Sequence, residues 1–339
     1  MKIAHFAQFA PHACGQYETV RDLIKAERMV GIEAEFIDYG KKDLTCQVGK
    51  KDGHITTAHP DYAKQADVLF HHTAIPQSIS KNGKPIVLCL HGRPESTLKI
   101  GLSNGGDLIK AILNFAKDDQ YKAILTFWYE YLFLWENIIS QKEKLFCIPA
   151  PVDLERFNFS IKKRILPKEG RPRLMIADLW REDITPFNSI FAAIYYKQNF
   201  QPSTTIHLFG LPSQKNRLFL EDMRVKGMFA SFYPSVIGLE KIYPKMDLLI
   251  TPHSIAVRTV REALACGLPI VAGTGNKYTN FRENSNDIYC FANEISRAWK
   301  FVEKDEDDFR LGARRTAEKE FDPIMVGNKI KTLLAEVLK

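Results

Sequence analysis

Apolar and polar residues along the chain fall into two successive series of alternating pattern. In the first series, the apolar runs KIAHFAQ (2–8), EAEFIDYG (33–40), ADVLFHHT (66–73), KPIVLCLHG (84–92), KAILTF (122–127) and KLFCIPAPVD (144–153) predict buried strands. Segments of helical period separate them. The clearest, ETVRDLIKAERMVG, repeats its apolar residues every three to four positions and stops at Gly31. A polar excursion containing KKDGHIT reads as a hairpin turn. Strands separated by helices predict a parallel sheet covered on both faces.

The series then breaks at FNFSIKKRILPKEGRPR, a basic stretch with proline and glycine and no apolar period, which reads as a linker. The alternation resumes with RLMIADL (173–179), TTIHLFG (204–210), FASFYPS, MDLLITP (246–252) and LPIVAG (268–273) as strands. Helices are expected through NSIFAAIYY and RLFLEDMRVK, and the acidic run KDEDDF (304–309) reads as a solvated helix start. The expected organisation is an α/β chain of two Rossmann-like domains, 1–153 and 173–320, joined by a linker at 154–172. PIMVGNKIKTLLAEVL (323–338) is amphipathic, so 321–339 is expected to form a closing helix packed back on the N-terminal domain.

A length of 339 residues, 45% hydrophobic and 26% charged, suits two domains of ordinary size. No window holds the roughly 20 apolar residues of a membrane helix, and the first residues lack a leader pattern. The six cysteines are scattered without a C-x-x-C pair, and those in IVLCLHG and KLFCIPA read as buried free thiols, so a reducing, cytoplasmic setting is expected. Net charge is +7. Residues 1–150 hold 18 Lys/Arg against 17 Asp/Glu, and residues 151–339 hold 29 against 23, so the surplus lies in the second half. That field suits a phosphate-bearing ligand and falls short of the dense basic stripe of a dedicated nucleic-acid binder.

The most informative stretch is MDLLITPHSIAVRTVREALACGLPIVAG. A buried strand ends at Pro252, a loop follows, and a helix starts near Arg258 and Thr259 and closes at Cys266-Gly267. In an open parallel sheet, ligands sit beyond the carboxyl ends of the strands. First-turn amides lack partners there and the helix dipole is positive, which favours phosphate. Glu262, one turn in, is a carboxylate able to accept ribose hydroxyls, and Arg258 can neutralise diphosphate charge. There is no H-E-x-x-H, no cysteine cluster and no phosphate-loop motif, so neither a metal nor a cofactor is expected.

This strand–loop–E-A-L-A-C-G-L-P-I-V-A-G run resembles the donor site of family-4 retaining glycosyltransferases. The resemblance implies a GT-B fold, two Rossmann-like domains with parallel sheets facing a central cleft, and transfer of a sugar from a nucleotide-diphosphate sugar (UDP or GDP) to an acceptor hydroxyl. It makes Glu262 the ribose-binding second glutamate of an E-x7-E pair. The first falls on Ser254, so His253, Ser254 or the amides of residues 255–259, Thr259 among them, take its place. APHACGQYETVRDLIKAERMVGIEAEFID is similar to the family's first glycine loop, with Gly15 opening backbone to the ligand. CIPAPVDLERF is similar to its interdomain segment. IVLCLHGRPES places His91 as the histidine facing the sugar. Arg181, in ADLWREDITPF, and Arg258 are implied on the diphosphate. PSVIGLEKIYPKMD is similar to the segment that embraces the base, with Val236 and Ile237 lining it. Of the pair His71-His72, alternation lets one at most serve the site. FWYEYLFLW (127–135) is read chiefly as a helix in the core.

The acceptor stays open, and DNA carrying hydroxymethylated bases is the leading specific candidate beside glycans, lipids, proteins and small metabolites. A nucleotide-sugar epimerase and a non-catalytic nucleotide- or nucleic-acid-binding protein of the same fold are competing functions.

Overall fold

The computed structural model describes the chain except residues 12–14, 40–47, 53–54, 73–82, 93–96, 98–107, 160–169, 179–185, 211–213 and 234–237. The chain divides into two compact units, Met1–Asp153 with Phe321–Lys339, and Leu154–Glu320.

The first unit is built on a six-stranded parallel sheet. Its strands are β1 (Lys2–Ala7), β2 (Glu33–Asp38), β5 (Val68–His72), β6 (Ile86–Leu90), β7 (Tyr121–Thr126) and β8 (Leu145–Cys147), in the order β2-β1-β5-β6-β7-β8. Two short strands, β3 (Lys51–Asp52) and β4 (Ile55–Thr56), pair antiparallel around residues 53–54, where the sequence predicts a hairpin. Asp52 accepts from Tyr17 Oη at 3.1 Å and Arg21 Nη1 at 3.3 Å, which ties this hairpin to the first helix.

The helices described in this unit are α1 (Gly15–Met29), α2 (Tyr62–Gln65), α3 (Leu108–Lys117) and α4 (Tyr129–Glu136), joined by the closing helix α10 (Pro323–Val337). Val20, Leu23 and Ile24 of α1, and Val326, Ile330 and Leu334 of α10, share a core with Ile3, Val68 and Val87 of the sheet. Gly327 is where α10 meets α1: a Cβ there would lie 2.5 Å from the Ala26 carbonyl oxygen. Only glycine permits that approach.

The second unit carries another six-stranded parallel sheet: β9 (Arg173–Ala177), β10 (Thr205–Phe209), β11 (Ser231–Tyr233), β12 (Leu248–Ile250), β13 (Ile270–Gly273) and β14 (Phe281–Glu283). Their order, β11-β10-β9-β12-β13-β14, reverses direction between β9 and β12. Its described α-helices are α5 (Phe187–Asn199), α6 (Gln214–Val225), α7 (Arg258–Ala265), α8 (Ile288–Lys304) and α9 (Glu306–Phe321). Leu174, Ile206, Leu248 and Val271 pack with Ile190 and Ala193 of α5 and Phe291 and Ile295 of α8.

Three differences from the sequence expectation have clear causes. β14 and α8 go unpredicted because FRE is too short to show alternation. The helix that follows is announced only by Asp287, whose carboxylate caps it by accepting from the amides of Tyr289 and Cys290. Gly15, placed in a glycine loop by the resemblance, is the first residue of α1. In α4 and the residue pair before it, Phe127, Tyr131 and Trp135 are buried while Tyr129 and Phe133 are exposed, so the aromatic run is only half core.

Candidate functional site

In the second unit, chemistry gathers at the carboxyl edge of the sheet where the strand order reverses, the place where open α/β sheets bind ligands. Asp178 follows β9 and His253 follows β12, and His253 Nε2 lies 2.8 Å from Asp178 Oδ2. The loop between β12 and α7 is held from below by Asn276, whose Nδ2 donates to the carbonyls of His253 at 3.1 Å and Ile255 at 3.4 Å. Gly273, the last residue of β13, has the Pro252 carbonyl where a Cβ would stand, so the loop rests directly on the strand backbone. Arg261 Nη1 donates to the Ala256 carbonyl at 3.1 Å and closes the loop from the helix side. His253 is buried by these contacts, and Ser254 beside it is exposed.

Helix α7 begins at this edge. Its N-cap, Val257, makes no side-chain cap hydrogen bond. Thr259 sits half-buried on this first turn. One turn further, Glu262 is only 2% exposed. Its Oε1 accepts from Arg258 Nε at 2.6 Å and its Oε2 from Tyr243 Oη at 2.9 Å. Burial, together with the neighbouring Glu262 charge, holds the Tyr243 hydroxyl well above its ordinary pKa, so it stays protonated and donates. Glu262 thus anchors Arg258 at the mouth of the helix, with the arginine side chain itself partly exposed. Cys266, at the far end of α7, is pushed up strongly by burial and Glu262 and is unreactive as a thiol. Arg181, Val236 and Ile237, also implicated by the sequence, lie outside the described residues.

In the first unit, His91 follows the last residue of β6 and is half-buried, its ring 4.7 Å from that of Phe127. His72, at the end of β5, places Nδ1 2.7 Å from His91 Nε2. Its strand neighbour His71 turns the other way, into Phe6 and Tyr121, as β alternation requires. The His72 carbonyl accepts from Gln16 Nε2 at 2.7 Å and Tyr39 Oη at 3.3 Å. Gly15, next to Gln16, has nothing within 4 Å of where a Cβ would be, so no contact among the described residues demands a glycine there.

Reading the sequence alone misses Tyr243, Asp178 and Asn276 in the second unit and His5 and Glu27 in the first. Asp178 had a signal, a carboxylate directly after a buried strand. So did His5, a polar residue inside the apolar run KIAHFA. Tyr243 and Asn276 had none, because they reach their partners only through the fold.

No known family model matches this sequence, and no curated protein matches it. Solved structures do match over the full length. Anabaena HepE, in complex with UDP, aligns at a TM-score of 0.71 with 15% identity, over 99% of this chain and 100% of HepE. Sucrose-phosphate synthase of Thermosynechococcus elongatus aligns at 0.75 with 12% identity, over 99% of this chain and 98% of that one. The fold is GT-B. An α-glucosyltransferase in complex with UDP and a 13-mer DNA containing a HMU base shares this GT-B architecture at a TM-score of 0.69 and 12% identity, with 100% of both chains covered. At such identities the architecture is common to all of them while the side chains have diverged. Among the described residues, no helix is long and apolar enough to cross a membrane.

Proposed function

We propose that this GT-B protein is a glycosyltransferase, moving a sugar from a nucleotide-diphosphate sugar to an acceptor hydroxyl. The observation that carries this reading is the start of α7 at the strand-order reversal of the second sheet, with Arg258 held there by Glu262, itself bonded by Tyr243. Backbone amides and a guanidinium at a helix N-terminus favour a diphosphate. The fold is shared with HepE and an α-glucosyltransferase, both solved with UDP, which supports a nucleotide-diphosphate donor and makes UDP-sugars the first to test beside GDP-sugars.

In the proposed reaction, the bond between the anomeric carbon and the diphosphate oxygen breaks, and its electron pair leaves with the diphosphate. Arg258 and the α7 amides stabilise the developing charge, and Arg181 is assigned the same role by the sequence resemblance. The acceptor hydroxyl oxygen forms the new bond to the anomeric carbon, and its proton passes to the departing diphosphate oxygen. Glu262 keeps Arg258 in place and accepts from the ribose hydroxyls. His253 and Ser254 take the position of the absent first glutamate. His91 of the first unit is assigned to a hydroxyl of the transferred sugar. The donor charge is met by protein cations and amides, so the reaction is proposed to run without a metal and, by resemblance, with retention of configuration.

The acceptor divides the reading. The DNA bound by one GT-B neighbour favours a nucleic-acid acceptor as the second reading. Incubating the protein with UDP-glucose and measuring UDP release tests both. Release stimulated by a saccharide or small-molecule hydroxyl supports the general reading, and release stimulated only by hydroxymethylated DNA supports the second. No release with any nucleotide sugar and acceptor class contradicts the glycosyltransferase reading.

A further inference from the structure

His91 and three titratable side chains behind it stand end to end. His91 Nε2 lies 2.7 Å from His72 Nδ1, His72 Nε2 lies 2.9 Å from His5 Nδ1, and His5 Nε2 lies 2.7 Å from Glu27 Oε2. They come from four separate places in the fold: the residue after β6, the end of β5, the middle of β1 and the last turns of α1. His5, His72 and Glu27 are wholly buried. Glu27 Oε1 has no hydrogen-bond partner among the described residues, so His5 is what meets this carboxyl group. Three ring-to-ring or ring-to-carboxyl links, each matched nitrogen to nitrogen or oxygen, make a continuous hydrogen-bonded chain that runs inward from half-buried His91.

Each link holds one proton, and that restricts the chain to two arrangements. Burial, reinforced by His91, His5 and His71 nearby, keeps His72 in its neutral form. A neutral imidazole has one donor and one acceptor nitrogen, so both of its bonds must run in the same direction. In the inward arrangement every histidine is protonated on Nε2, and Glu27 is left either as an uncompensated anion in the core or, protonated on Oε1, as a buried O–H with no acceptor among the described residues. In the outward arrangement the His5–Glu27 pair holds one more proton and is neutral overall. His5 Nδ1–H then donates to His72 Nε2, and His72 Nδ1–H donates to His91 Nε2. The direction is the same whether the shared proton sits on His5 Nε2 or on Glu27 Oε2. An isolated buried charge is the costlier choice.

We propose that Glu27, His5 and His72 are positioning residues that fix His91 as its Nδ1–H tautomer, so that His91 acts as a hydrogen-bond donor through Nδ1 and not as a base there. Imidazole in water favours the opposite tautomer, so the chain imposes a choice that solvent would not. Use of that N–H on a sugar hydroxyl oxygen rests on the glycosyltransferase reading, whereas the tautomer itself does not.

Two-bond 1H–15N correlation spectra of the full chain, labelled with 15N-histidine, read the tautomer of each ring directly and need no substrate. The expected pattern in the unaltered protein is a proton on Nδ1 of His5, of His72 and of His91. A proton on Nε2 with none on Nδ1 at His91 overturns the proposal, and so does the all-Nε2 pattern of the inward chain. His72→Phe is expected to shift the His91 proton from Nδ1 towards Nε2. If His91 keeps Nδ1–H in a folded His72→Phe variant, the chain does not set it and the proposal fails. Should that variant not fold, the three-ring pattern of the unaltered protein decides alone. The spectra and the UDP-release assay fail independently, so loss of one reading leaves the other standing.

Discussion

At the scale of single residues, the candidate donor site turns on Glu262 and what surrounds it. The sequence alone singled out this carboxylate by its place one turn into a helix that follows a buried strand. It could not show Tyr243, nineteen positions earlier, donating to Oε2 from a short helical turn at Tyr243–Lys245. Tyr243→Phe removes that donor and leaves a buried carboxylate oxygen short of a partner. The expected cost is about 1–3 kcal/mol of stability, read by urea denaturation; an unchanged midpoint would mean that the hydroxyl is not holding Glu262. Gly15 gives a test of the opposite kind. Its Cβ position is open and its φ is not of the left-handed kind, so Gly15→Ala should fold with no loss of stability. If the glycine opens space for ligand, the same variant binds nucleotide sugar more weakly in calorimetry. Equal affinity would remove Gly15 from the site.

At the scale of elements, the positions of strands and helices follow from period and punctuation, but their contacts follow from close backbone approaches that no period reveals. Gly273 and Gly327 are the clearest cases. In the sequence, each is an ordinary glycine in an apolar segment. In the fold, one lets the end of β13 carry the Pro252–Val257 loop, and the other lets α10 sit against Ala26 of α1. Gly327→Ala must push α10 off α1 and should destabilise the protein by about 1–3 kcal/mol or more. Gly273→Ala should displace the loop that bears His253 and Ser254. Its expected signature is weakened nucleotide-sugar binding in a protein that still folds; unaltered binding would show that this loop does not shape the donor site. β14 escaped notice for a related reason. Three residues are too few for a pattern, and the strand exists because β13 offers it a parallel edge.

At the scale of the whole molecule, the alternation of the two series carried the architecture, while 11–15% identity to structural neighbours shows how little of it depends on particular side chains. The buried histidines are an exception with a measurable consequence. Burial lowers His71 to about 3 and holds His72 well below its ordinary value. Between pH 6.5 and the folded values, the unfolded chain binds protons at these rings that the folded chain refuses. Stability is therefore greatest above that window and falls as pH drops through it, by about 1.4 kcal/mol per pH unit for each ring. Denaturation at about pH 7.5, 6 and 5 should show this slope, and His71→Phe should reduce it by roughly one ring's share. A slope that His71→Phe leaves unchanged would assign the acid sensitivity elsewhere.

Donor binding at the α7 edge is the point on which the functional reading depends. Titration calorimetry of UDP-glucose into the unaltered protein and into Glu262→Ala tests it most directly. Saturable binding by the first, weakened at least tenfold (about 1.4 kcal/mol) in a Glu262→Ala protein that remains folded, is the predicted result. Binding of equal strength to both, or no binding of any nucleotide sugar to the unaltered protein, would contradict it.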